Sequence, residues 1–225
     1  MIAQAQGDWD WEFVWEILPR LLEGLWVTVQ LTLMGIGLAF IGGLVLAILR
    51  RSRLRIIRWP VGLFIEFIRS TPLLVQLFFI YFVFPDYGLV LSGFTAGVLG
   101  LAVHYATYTS ESYRSGIESV PAGQWEAATS INLSRWQTWR HVVLPQAIPT
   151  ALPALGNYLV AGFKDAPLAA TITVFGVLGT AQEIQAQTFR SMEPLTMAGL
   201  LFLAVSVPAA ALVRLLERRY AYRRD

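Results

Sequence analysis

The chain has 225 residues, 56% apolar and only 14% charged, with a mean hydropathy of +0.55 and a net charge of +2. Soluble domains carry about a quarter charged residues, so this composition, with apolar stretches about 20 residues long, describes one integral membrane domain over residues 1–225. The chain contains no cysteine, which excludes disulfides, thiolate metal sites, iron–sulfur clusters and a cysteine nucleophile.

Residues 1–23 open the chain with Asp8, Asp10, Glu12 and Glu16 set among Trp9, Trp11, Phe13 and Trp15. A secretory signal needs a basic start and a short apolar core, so this segment reads as interfacial, with its aromatics at headgroup level. A first span is expected over about Gly24–Leu49, ending at Arg50, Arg51, Arg53, Arg55 and Arg58. A second, about Val61–Phe84, is broken by Pro72 and holds Glu66 and Arg69. A short loop, Pro85–Ser92, leads to a third span at about Gly93–Tyr113. A polar loop follows over residues 114–145, then a fourth apolar segment at about Ala147–Phe163. Residues 164–194 are mixed in character. The last span covers about Leu195–Leu216 and is followed by Arg218, Arg219, Arg223 and Arg224.

Arginine placement sets the expected orientation, because cytoplasmic loops concentrate Lys and Arg. Residues 50–58 hold five arginines, 114–145 hold three and 214–225 hold five, which is 13 of the 17 basic residues. Five spans put all three segments on one side, with the N-terminus outside and the C-terminus in the cytoplasm. Small residues recur at helix-packing spacing, Ala39 with Gly43 and Gly93 with Gly97. They suit close helix approach, either between subunits around a pore or inside one subunit.

Several chemistries lack their residues. Lys164 is the single lysine and stands between Phe163 and Asp165, so no phosphate-cradling Gly-x-x-x-x-Gly-Lys loop exists. His104 lies mid-span and His141 in the polar loop; neither has the neighbours that a catalytic zinc site requires. There is no Gly-x-Ser-x-Gly elbow, so no catalytic residues and no metal ligands are assigned.

The polar loop carries the densest local signals. Pro121 suits a first helical turn, and Gln124–Ile131 suits a short helix bearing Glu126, Ala127 and Ala128. Asn132 is suited to the left-handed conformation that ends a helix. Ser134 with Gln137 three residues on forms a capping box for a second short helix, which Leu144-Pro145 is expected to stop before the next span. The result is a helix–turn–helix stiff enough to transmit a push. Charges within spans usually face a cavity or a partner, so Glu66, Arg69, Gln76, Glu111, Lys164 and Asp165 are the expected substrate-pathway residues. Glu66 and Arg69 are three apart and can pair with each other.

The loop pattern is Glu126-Ala127-Ala128, three residues, Asn132 and Leu133, and then Val142-Val-Leu-Pro145. It resembles the cytoplasmic EAA loop of permease subunits in bacterial ABC importers, with Asn132 where that family has glycine. Phe67-Ile-Arg-Ser-Thr-Pro-Leu-Leu-Val-Gln76, Tyr108-Thr-Ser-Glu111 through Gln124, and Pro153-Ala-Leu-Gly-Asn157 are similar to the polar amino acid (histidine/glutamine-type) branch, over roughly residues 20–220. The resemblance implies an all-α integral membrane protein of the type I importer permease fold, with five transmembrane helices. It also implies that Glu126, Ala127, Ala128, Asn132, Leu133 and Pro145 couple the permease to an ATPase. On this reading the chain is a transporter subunit in the bacterial inner membrane, not an enzyme. It has no cofactor of its own; ATP and magnesium are bound by an ABC ATPase dimer. A second permease, identical or similar, and an extracytoplasmic solute-binding protein complete the system.

One segment departs from the family: Lys-Asp-Thr-Ser-Leu becomes Lys164-Asp-Ala-Pro-Leu168. With Phe84-Pro-Asp86 and His104-Tyr-Ala-Thr-Tyr108, this looks closest to permeases for ectoine and hydroxyectoine, which are zwitterionic cyclic amino acids. The alternative reading is a stand-alone channel or secondary transporter for small polar solutes, which would need no docking loop and would often show an inverted repeat.

Overall fold

A computed structural model describes residues 9–221, with side chains described to residue 215. Residues 1–8, Arg223 and Arg224 lie outside the described residues, and Arg218 and Arg219 outside those whose side chains are described. The elements are α1 (Trp11–Arg50), α2 (Arg55–Arg69), α3 (Leu73–Phe78), α4 (Gly93–Glu118), α5 (Ala122–Ser130), α6 (Arg135–Thr138), α7 (Leu144–Asp165), α8 (Val177–Thr188) and α9 (Met192–Ala221). A wide turn over Phe79–Val83 and a tight one over Phe84–Tyr87 extend α3, and a further tight turn, Ala166–Ile172, follows α7. No strand occurs among the described residues.

Two helices are each long and apolar enough to cross a membrane, Trp11–Arg50 and Met192–Leu215. Two bent pairs qualify only when each pair is taken together, Arg55–Arg69 with Leu73–Tyr87 and Arg135–Ile172 with Val177–Thr188. The third expected span, Gly93–Tyr113, falls in α4, whose 26 residues would rise about 39 Å; His104, Tyr105 and Tyr108 with Thr107, Thr109 and Ser110 lower its apolarity, and it is not among the helices that qualify. The break expected at Pro72 is present: α2 ends at Ser70, whose N–H donates to the Glu66 carbonyl at 2.9 Å, the Thr71 N–H donates to the Ile68 carbonyl at 3.3 Å, and α3 begins at Leu73.

The chain folds as two compact units that share its long helices. The first comprises Met1–Gly35, Leu73–Leu101 and Val160–Ala209; the second comprises Ile36–Pro72, Ala102–Leu159 and Ala210–Asp225.

In the first unit, α1 begins earlier than the span expected at Gly24. The Asp10 carboxylate accepts the N–H groups of Glu12 and Phe13 at 3.0 and 3.1 Å, which caps the first turn. Residues 11–23 are therefore helical turns continuous with the span. Ile17 and Leu21 are buried against Val177, Ala181 and Ile184 of α8 and Ala198 of α9. The acidic and tryptophan positions occupy the outer face of these turns and masked the buried stripe. Residues 164–194 hold a helix rather than only a mixed connection. In α8, Val177, Gly179, Thr180, Ala181 and Ile184 are buried. These residues are too small and too polar on average to register as a span, yet small residues are what close helix packing needs. Gly93 meets the Ile172 carbonyl, and Gly97 meets Leu31 and Ala169.

In the second unit, a Cβ on Gly43 would collide with the Thr109 hydroxyl, and that hydroxyl donates to the Ala39 carbonyl at 3.0 Å. Both small-residue pairs are thus used inside the subunit. Ile117, Val120, Val143 and Ala147 form a buried cluster, with Trp125 and Trp139 against it.

Candidate functional site

The loop between α4 and α7 is built almost entirely by local rules. Pro121 is the N-cap of α5 in extended conformation, a place where its missing N–H costs nothing. At the other end, Asn132 adopts φ +55°. The Asn132 N–H donates to the Thr129 carbonyl, and the Leu133 N–H donates to the Ala128 carbonyl at 3.0 Å. This is a Schellman closure, in which a left-handed residue satisfies carbonyls that the helix end leaves open. The capping box is present too: the Ser134 hydroxyl accepts the Gln137 N–H at 3.3 Å, and the Gln137 side chain accepts the Ser134 N–H at 2.9 Å.

Leu144-Pro145 does not stop the second helix. α6 runs through a wide turn, Trp139–Val143, directly into α7, and the Leu144 N–H donates to the Trp139 carbonyl five residues back. Proline in a regular helix clashes with the carbonyl four residues before it and leaves that carbonyl without its donor. The wider turn falls directly before Pro145, where that conflict arises, and the helix continues through it into α7.

Glu126 and Ala127 are exposed, whereas Ala128 is 2% exposed and faces inward. Adjacent in sequence, the two alanines are turned about 100° apart by the helix. Ile131 and Trp136 complete the outer surface at 70% and 68% exposure, while Pro145 is exposed and Leu133 half-buried. Two contacts brace the loop that the sequence reading missed. Trp125 and Trp139 meet edge to face at 5.5 Å, and the Arg51 guanidinium lies over the Trp139 ring at 6.0 Å. The tryptophans of the polar loop, Trp125 and Trp139 with the exposed Trp136, were the available signal.

The expected pathway residues fall in both units. Glu66, Arg69 and Glu111 belong to the second unit, while Gln76, Lys164 and Asp165 belong to the first. Glu66 and Arg69 do not pair. The Arg69 guanidinium lies over the Tyr108 ring at 5.1 Å, and Glu66 lines a cavity with Arg50, Arg51, Arg58 and Arg114. Spacing made the two neighbours on α2, but each finds a partner or a cavity of its own. Glu111 accepts from Arg50 at 2.5 Å and from Arg114 at 2.7 Å, and Arg114 also reaches Glu118 at 2.6 Å. Partly exposed pairs of this kind are worth about 0.2–1 kcal/mol each, so the network fixes the ends of α1 and α4 more than it stabilises them. Gln76 lies half-buried on α3, and Lys164 is exposed in the last turn of α7, next to half-buried Asp165. Pro167 initiates the tight turn Ala166–Ile172. Tyr108 also belongs to an aromatic group, 5.1 Å from His104 and 5.9 Å from Tyr158. The run of aromatics at residues 104–108 was its only sequence sign.

Residues 35–222 match the family described as "Binding-protein-dependent transport system inner membrane component". The chain is 46% identical over 211 residues to a probable amino-acid ABC transporter permease protein, y4tG, of Sinorhizobium fredii, covering 94% of this chain and 91% of the relative. It is 34% identical to the glutamine transport system permease protein GlnP of Escherichia coli, covering 93% and 97%. Its fold superposes on a chain from the "Crystal structure of an amino acid ABC transporter with histidines" with a TM-score of 0.88 at 33% identity, covering 95% of this chain and 100% of the other. The family match takes in both the bent helix pairs and the braced loop. The chain belongs to the binding-protein-dependent transport system inner membrane components, as the integral membrane permease subunit of an ABC uptake system whose ATPase is a separate chain.

Proposed function

We propose that this chain forms the transmembrane path of an importer for a polar amino acid or a similar zwitterion, and that residues 114–145 couple it to the ATPase. The carrying observation is the short helix α5, fixed at one end by the Schellman closure and followed by the capping box, which presents Glu126 and Ala127 outward. A displacement applied there passes into α7 without a flexible joint. Glu126, Ala127, Asn132, Leu133 and Pro145 shape this element, and Ala128 anchors it. The docking partner is an ABC ATPase dimer that binds ATP and magnesium. Arginine-rich segments at 50–58, 114–145 and 214–225 support an orientation with the C-terminus and the coupling loop in the cytoplasm. A second permease subunit and an extracytoplasmic binding protein complete the assembly.

Replacing Glu126 by Trp tests the coupling role. Uptake by the reconstituted importer should fall about fivefold to a hundredfold, in the range of ordinary coupling energies, while membrane insertion is unchanged. Undiminished uptake would remove the loop from the coupling path.

For the substrate, the relatives named for amino-acid and glutamine transport support the zwitterion class. Within it, the ectoine and hydroxyectoine reading rests on Ala166-Pro167, where the related permeases carry two hydroxyls. Calorimetric titration of the cognate binding protein with ectoine, hydroxyectoine, histidine, glutamine and arginine decides. Tight binding of ectoine alone supports that reading; preference for a proteinogenic amino acid ends it.

A further inference from the structure

We propose that the cavity lined by Arg50, Arg51, Arg58, Trp59, Glu66 and Arg114 seats the phosphodiester headgroup of an anionic membrane phospholipid. This inference does not depend on which solute is carried. The cavity has a volume of about 620 Å³ and is built by the end of α1, one face of α2 and the end of α4.

Charge gives the first argument. The lining holds four arginines against Glu66 and Glu118, and Glu111 pairs with two of those arginines. Four positive and three negative groups leave an excess of one positive charge. Arg50 and Arg114 are engaged by carboxylates. Arg51 lies over the face of Trp139, an arrangement that leaves guanidinium N–H groups at its edge. Arg58 has no ion-pair partner among the described residues. One phosphodiester would neutralise the site, and planar guanidinium groups match phosphate oxygens in geometry.

Helix polarity gives the second. Arg55 and Arg58 lie in the first turn of α2, which contains no acidic residue, and the N-cap Leu54 supplies no side-chain cap. Cations at a helix N-terminus are unfavourable by a few tenths of a kcal/mol or more, and an anion there reverses the sign.

The surroundings decide for lipid over a soluble anion. Trp59 and Leu63, both lining the cavity, are 65% and 61% exposed, and Phe67 continues the apolar stripe along α2. An exposed tryptophan and leucine beside arginines suit the boundary between headgroups and acyl chains, and basic pockets between membrane helices bind such headgroups.

The test uses the assembled importer in nanodiscs of phosphatidylethanolamine with or without phosphatidylglycerol. Native mass spectrometry after mild delipidation counts the phosphatidylglycerol retained per permease. Retention should fall about tenfold in Arg58→Gln, the loss of one charge-assisted hydrogen bond, recover in part in Arg58→Lys, and rise in Glu66→Gln. Equal retention in wild type and Arg58→Gln would overturn the proposal. So would release of the lipid by millimolar inorganic phosphate, which would make the ligand a free anion. Loss of the ATPase from the Arg58→Gln complex with the lipid still bound would overturn it as well, by making the cavity a protein contact.

Discussion

The loop between α4 and α7 and the segment after α7 are both polar by the standard of this chain, yet they are specified in opposite ways. In the loop each turn is set by residues within five positions of it: Pro121 begins α5, Asn132 and Leu133 close it, and Ser134 with Gln137 open α6. In the segment 166–188 the decisive contacts come from far along the chain. The Val177 N–H at the start of α8 donates to the Thr28 hydroxyl at 2.9 Å, 149 residues away. That hydroxyl in turn donates to the Gly24 carbonyl at 3.0 Å, and a Cβ on Gly176 would run into it. Glycine at position 176 is what lets the segment approach α1 so closely.

This difference explains what was legible in the sequence. Asn132 and the capping box could be placed because their hydrogen bonds are local. The buried face of α8 could not, because its residues are unremarkable until Thr28 and Leu21 are brought beside them. The same holds for residues 11–23, where the buried stripe has meaning only against α8 and α9. Pro145 misled for a different reason. A single-residue rule stops a helix at proline, but a turn one residue wider absorbs it, and sequence spacing does not announce such a turn. Glu66 and Arg69 show the limit of spacing arguments: adjacency on a helix fixes who can meet, not who does.

The sharpest test of the contrast is Thr28→Val, which leaves the buried Val177 donor without its acceptor. Loss of a buried partner costs about 1–3 kcal/mol, and amide exchange should accelerate across α8 while α5 and α6 keep their protection. If the acceleration were confined to Val177, the segment would hold itself together and the contrast would fail. Next in size is Asn132→Ala, expected to cost about 1–2 kcal/mol by placing a Cβ-bearing residue in left-handed conformation without a compensating side chain. Asn132→Gly should be nearly neutral. Exchange rates within α5 report this, and equal effects of alanine and glycine would break the conformational account.

Ser134→Ala should cost about 1 kcal/mol and loosen only the first turn of α6, seen as faster exchange at the Gln137 amide. The smallest effect concerns Asp10. The Phe13 N–H and then the Arg190 guanidinium hold its carboxyl below the ordinary value of 3.8. A depressed acid contributes stability that is complete above its unfolded value and is lost as pH falls through the lower folded one. The melting temperature of wild type should therefore exceed that of Asp10→Asn at neutral pH, with the gap closing at pH values below 3.8. A gap independent of pH would show that the charge on the Asp10 carboxyl contributes nothing to stability.

The wide turn at Trp139–Val143 has a geometric consequence. A helix advances about 100° per residue, so the one extra residue accommodated there sets the rotational phase between the loop and the α7 side chains that follow it up to Leu159. Trp139, within that turn, is held by both Trp125 and Arg51, which gives the phase a mechanical reference. Removing one residue from this turn would barely change charge or hydropathy, yet it would bring a different row of α7 side chains into line with α5. The count of residues through that turn, rather than their composition, sets which row that is.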